Sequence, residues 1–179
     1  TVDRTSSGTG AVRELTFEQL RALDFGGGFG DRYRGAQIPT LQEVLRLAKD
    51  RCLVDIELKI DRPSLPADDQ RLVDAVVREV EDFGMRDQVL LSGFSREALS
   101  FAKRKYPHLV CGLAIAEQEI RRSVSFAAEQ KMELVFPQVY SGTPEYLSFV
   151  HSLGLKVWIC VFDATTAVVH DLAAAGVDG

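Results

Sequence analysis

Three cysteines, two methionines and one tryptophan are all that the 179 residues contain of these types. No apolar run approaches the ~20 residues that a membrane-spanning helix needs, so such a helix is not expected. Cys52, Cys111 and Cys160 lie in or beside apolar, strand-like runs, with neither CxxC spacing nor a pairing pattern. Buried free thiols are the expectation. Basic residues are outnumbered, 21 against 26 acidic, for a net charge of −5. The mildly acidic surface and the lack of a basic stripe argue against nucleic acid as a partner. No methionine stands at position 1, and neither a signal peptide nor a polar tail is expected within these residues. The chain opens on Thr1-Val2-Asp3-Arg4-Thr5 and closes on Gly176-Val177-Asp178-Gly179, where a strand begins, so both ends are expected to be cut. The length suits one domain or most of one, and with 46% hydrophobic residues it allows a sizeable core.

What is present is a regular alternation. After a Gly/Ser/Thr turn at Ser6 to Gly10, Thr16 and Gln19 have the spacing of a capping box and open a short helix that carries Leu20 and Leu23. Gly26-Gly27-Gly28-Phe29-Gly30 follows no strand and fails the GxGxxG spacing, so it reads as flexible loop. Thr40 and Glu43 form a second capping box, heading a helix through Val44, Leu45 and Leu47 to Lys49. From there strands alternate with amphipathic helices. The strands expected are Cys52 to Ile60, Val89 to Leu91, Leu109 to Ala116, Leu134 to Val139 and Leu155 to Phe162. The intervening helices run from about Asp68 to Phe83, from Ser95 to before Pro107, through Ile120, Val124 and Ala127, and from Thr143-Pro144 to Gly154. A last helix spans about Thr165 to Ala175. Single helices between strands mean parallel βα units with right-handed crossovers. An open doubly wound sheet and an incomplete TIM (β/α)8 barrel of about five units both fit, and the cut ends favour the barrel.

Asp55-Ile56-Glu57-Leu58-Lys59-Ile60 is the segment that suggests chemistry. Strand alternation sends Glu57 and Lys59 to one face, so a carboxylate and an ammonium project together from the strand's carboxyl end, where α/β proteins place their sites. A structural ion pair is the competing reading.

Several further motifs, in order, carry a resemblance. They are Asp3-Arg4-Thr5 with Gly8 and Gly10, Glu14-Leu15-Thr16, Leu23-Asp24-Phe25-Gly26, Ile38-Pro39-Thr40-Leu41-Gln42-Glu43, Ile56-Glu57-Leu58-Lys59, Leu91-Ser92-Gly93-Phe94 and Gly176-Val177-Asp178-Gly179. Together they resemble the middle and later part of the glycerophosphodiester phosphodiesterases, metal-dependent TIM-barrel enzymes. The resemblance implies hydrolysis of a small-molecule glycerophosphodiester to glycerol 3-phosphate and an alcohol, within glycerol and lipid metabolism. It implies a divalent cation, Mg²⁺ or Ca²⁺, with Glu57 as a metal ligand. Lys59 would lie near the substrate phosphate or the metal-bound water. Hard cations take oxygen ligands, and an ammonium offsets the charge gathering on a phosphodiester. The cytoplasm is the expected compartment, with the periplasm and secretion left open.

Departures from the family pattern qualify that reading. The His-Arg-Gly, Glu-x-Asp and His-Asp segments of the family do not occur in this sequence. His108, His151 and His170 fall at or within helical segments, where surface or packing roles are expected. Cys160-Val161-Phe162-Asp163 stands where the family has Trp-Thr-Val-Asn or Trp-Thr-Val-Asp, so a Trp that lines the alcohol pocket has become Cys160. Trp158, two residues earlier on the same face, is a candidate substrate contact. Phe94, after the second strand, is another, with a buried core role the alternative. The 179 residues alone are expected to hydrolyse nothing, to bind Mg²⁺ or Ca²⁺ poorly and to self-associate through unpaired strand edges. The alternative is a catalytically inert member that binds a phospho-ligand or a protein. A third reading is a TIM-barrel phosphodiesterase acting on phosphoinositides or sphingolipids.

Overall fold

A computed structural model of the chain describes residues 1–60, 64–116, 120–137, 143–160 and 165–179. It divides into two compact units, Thr1–Leu47 and Ala48–Gly179.

Polar side chains organise the first unit. Thr16 and Gln19 form the expected capping box at the head of α1, Phe17–Arg21. Thr40 and Glu43 repeat it ahead of α2, Leu41–Ala48, with the Thr40 amide 2.7 Å from Glu43 Oε2 and the Glu43 amide 3.1 Å from Thr40 Oγ1. Each box satisfies two helix-end amides that would otherwise lack acceptors. Arg21 ties the two helices, donating to Ile38 O at 2.8 Å and to Glu43 Oε1 at 2.7 Å.

The glycine run, expected as a flexible loop, is folded into turns. It forms two 3-10 turns, Gly27–Phe29 and Asp31–Tyr33, around Asp24. Asp24 Oδ1 accepts from the amides of Gly26 and Gly27 at 2.8 and 3.0 Å. The Gly26 amide, ahead of the other contacts, holds the Asp24 carboxyl below its usual range. A Cβ at Gly26 would run into the Tyr33 carbonyl. The glycine is there for close approach.

In the second unit five strands pair in parallel in the order β1-β2-β3-β4-β5. They are β1, Val54–Glu57; β2, Val89–Gly93; β3, Val110–Ile115; β4, Leu134–Pro137; and β5, Lys156–Val157. Spatial order equal to chain order is the sequence of a (β/α) barrel; a doubly wound sheet reverses direction at its switch point. The topology therefore settles the architecture for the barrel arrangement, present as five βα units. The last residues extend the ladder, the Asp178 amide donating to Val157 O at 2.9 Å and the Ile159 amide to Gly179 O at 2.8 Å.

Between the strands run α3, Ala67–Asp82; α4, Arg96–Lys105; α5, Ile120–Glu129; and α6, Pro144–Ser152, with α7, Thr166–Ala175, after β5. Ser95, Thr143 and Thr165 cap α4, α6 and α7 through their hydroxyls. Gly84, Gly154 and Gly176 follow the ends of α3, α6 and α7 at positive φ. The valine stripe of α3, Val73, Val76, Val77 and Val80, is buried, each side chain contributing about 1.5–3 kcal/mol. One face of the sheet carries Leu91, Cys111, Leu113, Val135 and Val157, all buried.

β1, β3 and β5 are shorter than predicted where they are described, and β2 runs on to Gly93. β1 begins at Val54 because the Cys52 amide still bonds Ala48 O, at 3.2 Å, and it ends before Lys59. The Ile60 amide turns back to Leu58 O at 2.8 Å. The predicted continuations of β4 through Gln138 and Val139 and of β5 through Val161 and Phe162 lie outside the described residues. The thiols are free, as expected, but only Cys111 is buried; Cys52 and Cys160 are exposed. Cys52 sits in the stretch before β1 and Cys160 beyond the paired part of β5. Burial pushes the Cys111 thiol up to about 12, which leaves it unreactive at neutral pH.

Asp178 fastens β5. Its Oδ2 accepts from the Val157 amide at 2.8 Å and lies 2.9 Å from His151 Nε2. Burial raises this carboxyl, but the Val157 amide, His151 and Lys156 outweigh it and set the group below its ordinary value of 3.8. A carboxyl depressed in the folded state adds stability that is present above its unfolded value and is lost as pH falls through the folded one. The thermal midpoint is therefore expected to fall more steeply below about pH 4 in the native chain than in Asp178→Asn. Parallel pH profiles would remove Asp178 from the account.

Candidate active site

In-register neighbours of a parallel sheet point to the same side, so the ladder shows which side chains share a level. Glu57 pairs with Ser92, Ser92 with Gly112, and Gly112 with Leu134. Two residues farther on, Ala114 pairs with Phe136. The Trp158 amide, donating to Val135 O at 3.1 Å, carries the β4–β5 register on and brings Trp158 beside Phe136, whereas Lys59 and Phe94 lie past the paired parts of β1 and β2. Of the four residues expected at the site, Glu57 closes β1, Lys59 and Phe94 follow the carboxyl ends of β1 and β2, and Trp158 follows β5.

Glu57 ends β1 and Lys59 follows it, with Lys59 Nζ 2.5 Å from Glu57 Oε2. The lysine side chain is 77% exposed and the glutamate 34%, so the ammonium is open to solvent and the carboxylate is half-covered. Asp55 lies one level deeper on the same face. Desolvation raises its carboxyl, opposed by a hydrogen bond from the Ser92 hydroxyl and reinforced by the Glu57 charge. Ser92, buried, forms the floor beside this pair.

Phe94 follows β2 and is 43% exposed, so it is not a core residue. Gly93 before it allows the turn, since a Cβ there would come 2.9 Å from Leu58 O. Trp158 is half-buried and meets Phe136 edge to face, with ring centroids 5.8 Å apart at 89°. Phe136 was not anticipated from the sequence: in Leu134 to Val139 it reads as one more apolar strand residue, and only the register brings it beside Trp158. Cys160 is exposed beyond β5; Val161, Phe162 and Asp163 of its motif lie outside the described residues.

Two of the three histidines have acidic partners. His108 Nε2 is 3.2 Å from Glu81 Oε1, His151 is bound to Asp178, and His170 is exposed on α7. Among the described residues no group of three His, Cys, Asp or Glu side chains converges to hold a metal ion. Glu57, already paired with an ammonium, does not by itself fit a divalent cation, which takes six or more oxygen ligands. No described helix is long and apolar enough to cross a membrane.

Comparison with known proteins gives one answer. The sequence profile of the glycerophosphoryl diester phosphodiesterase family matches residues 1–179. A glycerophosphodiester phosphodiesterase of Caldanaerobacter subterraneus subsp. tengcongensis is 30% identical over 180 residues, covering 100% of this chain and 72% of that protein. One from Bacillus altitudinis is 30% identical over 110 residues, covering 60% of this chain and 43% of that protein. The chain thus spans less than half of the second relative. Among solved structures, a glycerophosphodiester phosphodiesterase of Agrobacterium tumefaciens aligns with TM-score 0.79 at 24% identity, over 99% of this chain and 72% of that one. A phosphodiesterase of Oleispira antarctica in complex with the product sn-glycerol-3-phosphate aligns with TM-score 0.82 at 21% identity, over 98% and 70%. At these identities the two structures speak for the fold. The family profile over the whole sequence and the full-length relative go further: the chain belongs to the glycerophosphoryl diester phosphodiesterase family.

Proposed function

We propose that residues 1–179 are part of one phosphodiesterase domain that, in the complete protein, hydrolyses a glycerophosphodiester to glycerol 3-phosphate and an alcohol in the cytoplasm. The observation that carries this reading is the Glu57–Lys59 pair at the carboxyl end of β1, in a chain of this family. Lys59 is the catalytic and phosphate-binding cation. Its exposed ammonium offsets the charge that gathers on the phosphoryl oxygens as the ester bond breaks. Glu57 orients Lys59 and is the ligand this chain contributes to a divalent cation, Mg²⁺ or Ca²⁺. The further carboxylates such a site needs, and the proton-transferring histidines, would come from the family's His-Arg-Gly, Glu-x-Asp and His-Asp segments. Phe94 and Trp158 line the alcohol side.

The test compares the 179 residues with a longer protein that contains them together with those segments. The longer protein is expected to release glycerol 3-phosphate from glycerophosphocholine only when a divalent metal is supplied, and the 179 residues alone to release none. Turnover by the shorter chain would contradict this. Cys160 at the family's Trp position favours a second reading, an inert member that binds a phospho-ligand. Finding the three segments upstream would favour the enzyme, and finding none of them the binder.

A further inference from the structure

Phe136 is held in place from two sides. Below it, Gly112 leaves the space that the ring occupies, since a Cβ at Gly112 would collide with the Phe136 ring and a Leu134 methyl. Beside it, Trp158 packs edge to face at 5.8 Å, and the Trp158 indole in turn rests against Gly179. Two glycines thus make room for one aromatic pair at the carboxyl ends of β4 and β5. Both rings remain half-buried rather than closed into the core. Phe136 pairs with Ala114 on β3, and Lys59 lies past the carboxyl end of β1 in the same sheet. The carboxyl edge of the sheet thus carries an ammonium past β1 and a fixed aromatic pair at β4 and β5.

An ammonium suits a phosphate, and the face of an aromatic ring attracts a weakly hydrated cation by its quadrupole. A polyol gains little on such a wall, because its hydroxyls lose water without finding partners there. Resting on the diesterase reading above, we propose that Phe136 is a specificity-determining residue. With Trp158 it forms the surface that takes the alcohol end of the diester, selecting a trimethylammonium alcohol such as choline over glycerol.

Trp158 is the one tryptophan in the sequence, so its emission reports the wall without any turnover. Titration of the chain with choline is expected to give a saturable change in that emission. The neutral isostere 3,3-dimethylbutanol and glycerol should bind about tenfold more weakly, within the range of a cation–π contact. Phe136→Leu keeps an apolar side chain and removes the ring, and should weaken choline about tenfold. Phe136→Tyr keeps the ring and should bind within twofold of the native chain, which preserves the comparison if the leucine variant fails to fold. No emission response to choline, equal binding of the isostere, or unchanged affinity in folded Phe136→Leu would each overturn the proposal. A negative titration leaves the hydrolysis reading standing, and a turnover result leaves the titration standing, so the two fail separately.

Discussion

Glu57→Gln is expected to lower glycerophosphodiester turnover by at least about a hundredfold in a longer protein that carries this chain and the family's upstream segments. The substitution keeps the shape of the side chain and one carbonyl oxygen but removes its charge. It takes away the partner that holds Lys59 Nζ at 2.5 Å and the carboxylate proposed to bind the cation. Even the outer partners of metal ligands cost about 10–100-fold in affinity or activity when mutated, so loss of a ligand itself should reach the top of that range or exceed it. Titration with Mg²⁺ or Ca²⁺ should show weaker metal binding by the variant, while its circular dichroism matches the parent, because an exposed strand-end pair contributes only ~0–1 kcal/mol to folding. If the longer protein carrying Glu57→Gln kept its parent's turnover, the metal assignment would be wrong.

The second large effect concerns stability and lies in the amino-terminal half of β3 and the approach to β4. Lys103, on α4, is buried at 6% side-chain exposure. Its ammonium donates to Leu109 O at 2.8 Å, Pro107 O at 3.3 Å and Glu133 Oε1 at 2.6 Å. Glu133 accepts the Cys111 amide on its other oxygen at 2.8 Å, and its backbone bonds Cys111 O and the Lys156 amide. One ion pair thus pins the starts of three strands. The two partners differ in exposure, since the Glu133 side chain is 41% exposed. Removing the glutamate leaves a buried charge without its counter-ion, whereas removing the lysine leaves a carboxylate that water can reach. Glu133→Leu should therefore cost about 3 kcal/mol, and Lys103→Met, which refills the space with an apolar chain, about 1 kcal/mol. Urea unfolding reads both as shifts in midpoint at unchanged slope. A lysine variant as unstable as the glutamate variant would show that exposure does not set the cost.

These two sites differ in how far they can be read from the chain. Glu57 and Lys59 are two positions apart, so strand alternation alone brings them to one face. The capping boxes at Thr16 and Thr40, the hydroxyl caps at Ser95, Thr143 and Thr165, and the stops at Gly84, Gly154 and Gly176 are legible for the same reason, each being settled within one helical turn. Lys103 and Glu133 are thirty residues apart and His151 and Asp178 twenty-seven, and no local pattern announces either pair. Phe136 gains its meaning from Gly112 and Trp158 on neighbouring strands. The turns of the glycine run are not legible because they are set by the Asp24 carboxylate and by the Tyr33 carbonyl that a Cβ at Gly26 would strike. Cys52 and Cys160 mislead because apolar neighbours in sequence do not by themselves bury a side chain.

Strand and helix order, helix ends and the strand-end acid and base follow from the amino acids themselves, because hydrophobic period and unsatisfied backbone groups act over a few residues. Barrel order rather than a doubly wound sheet, the aromatic level formed by Phe136 and Trp158, and the buried Lys103–Glu133 clamp depend on which strands lie side by side and in what register. Hydrogen-bond ladders and the burial of one sheet face set that register across tens of residues, and only the folded chain displays it.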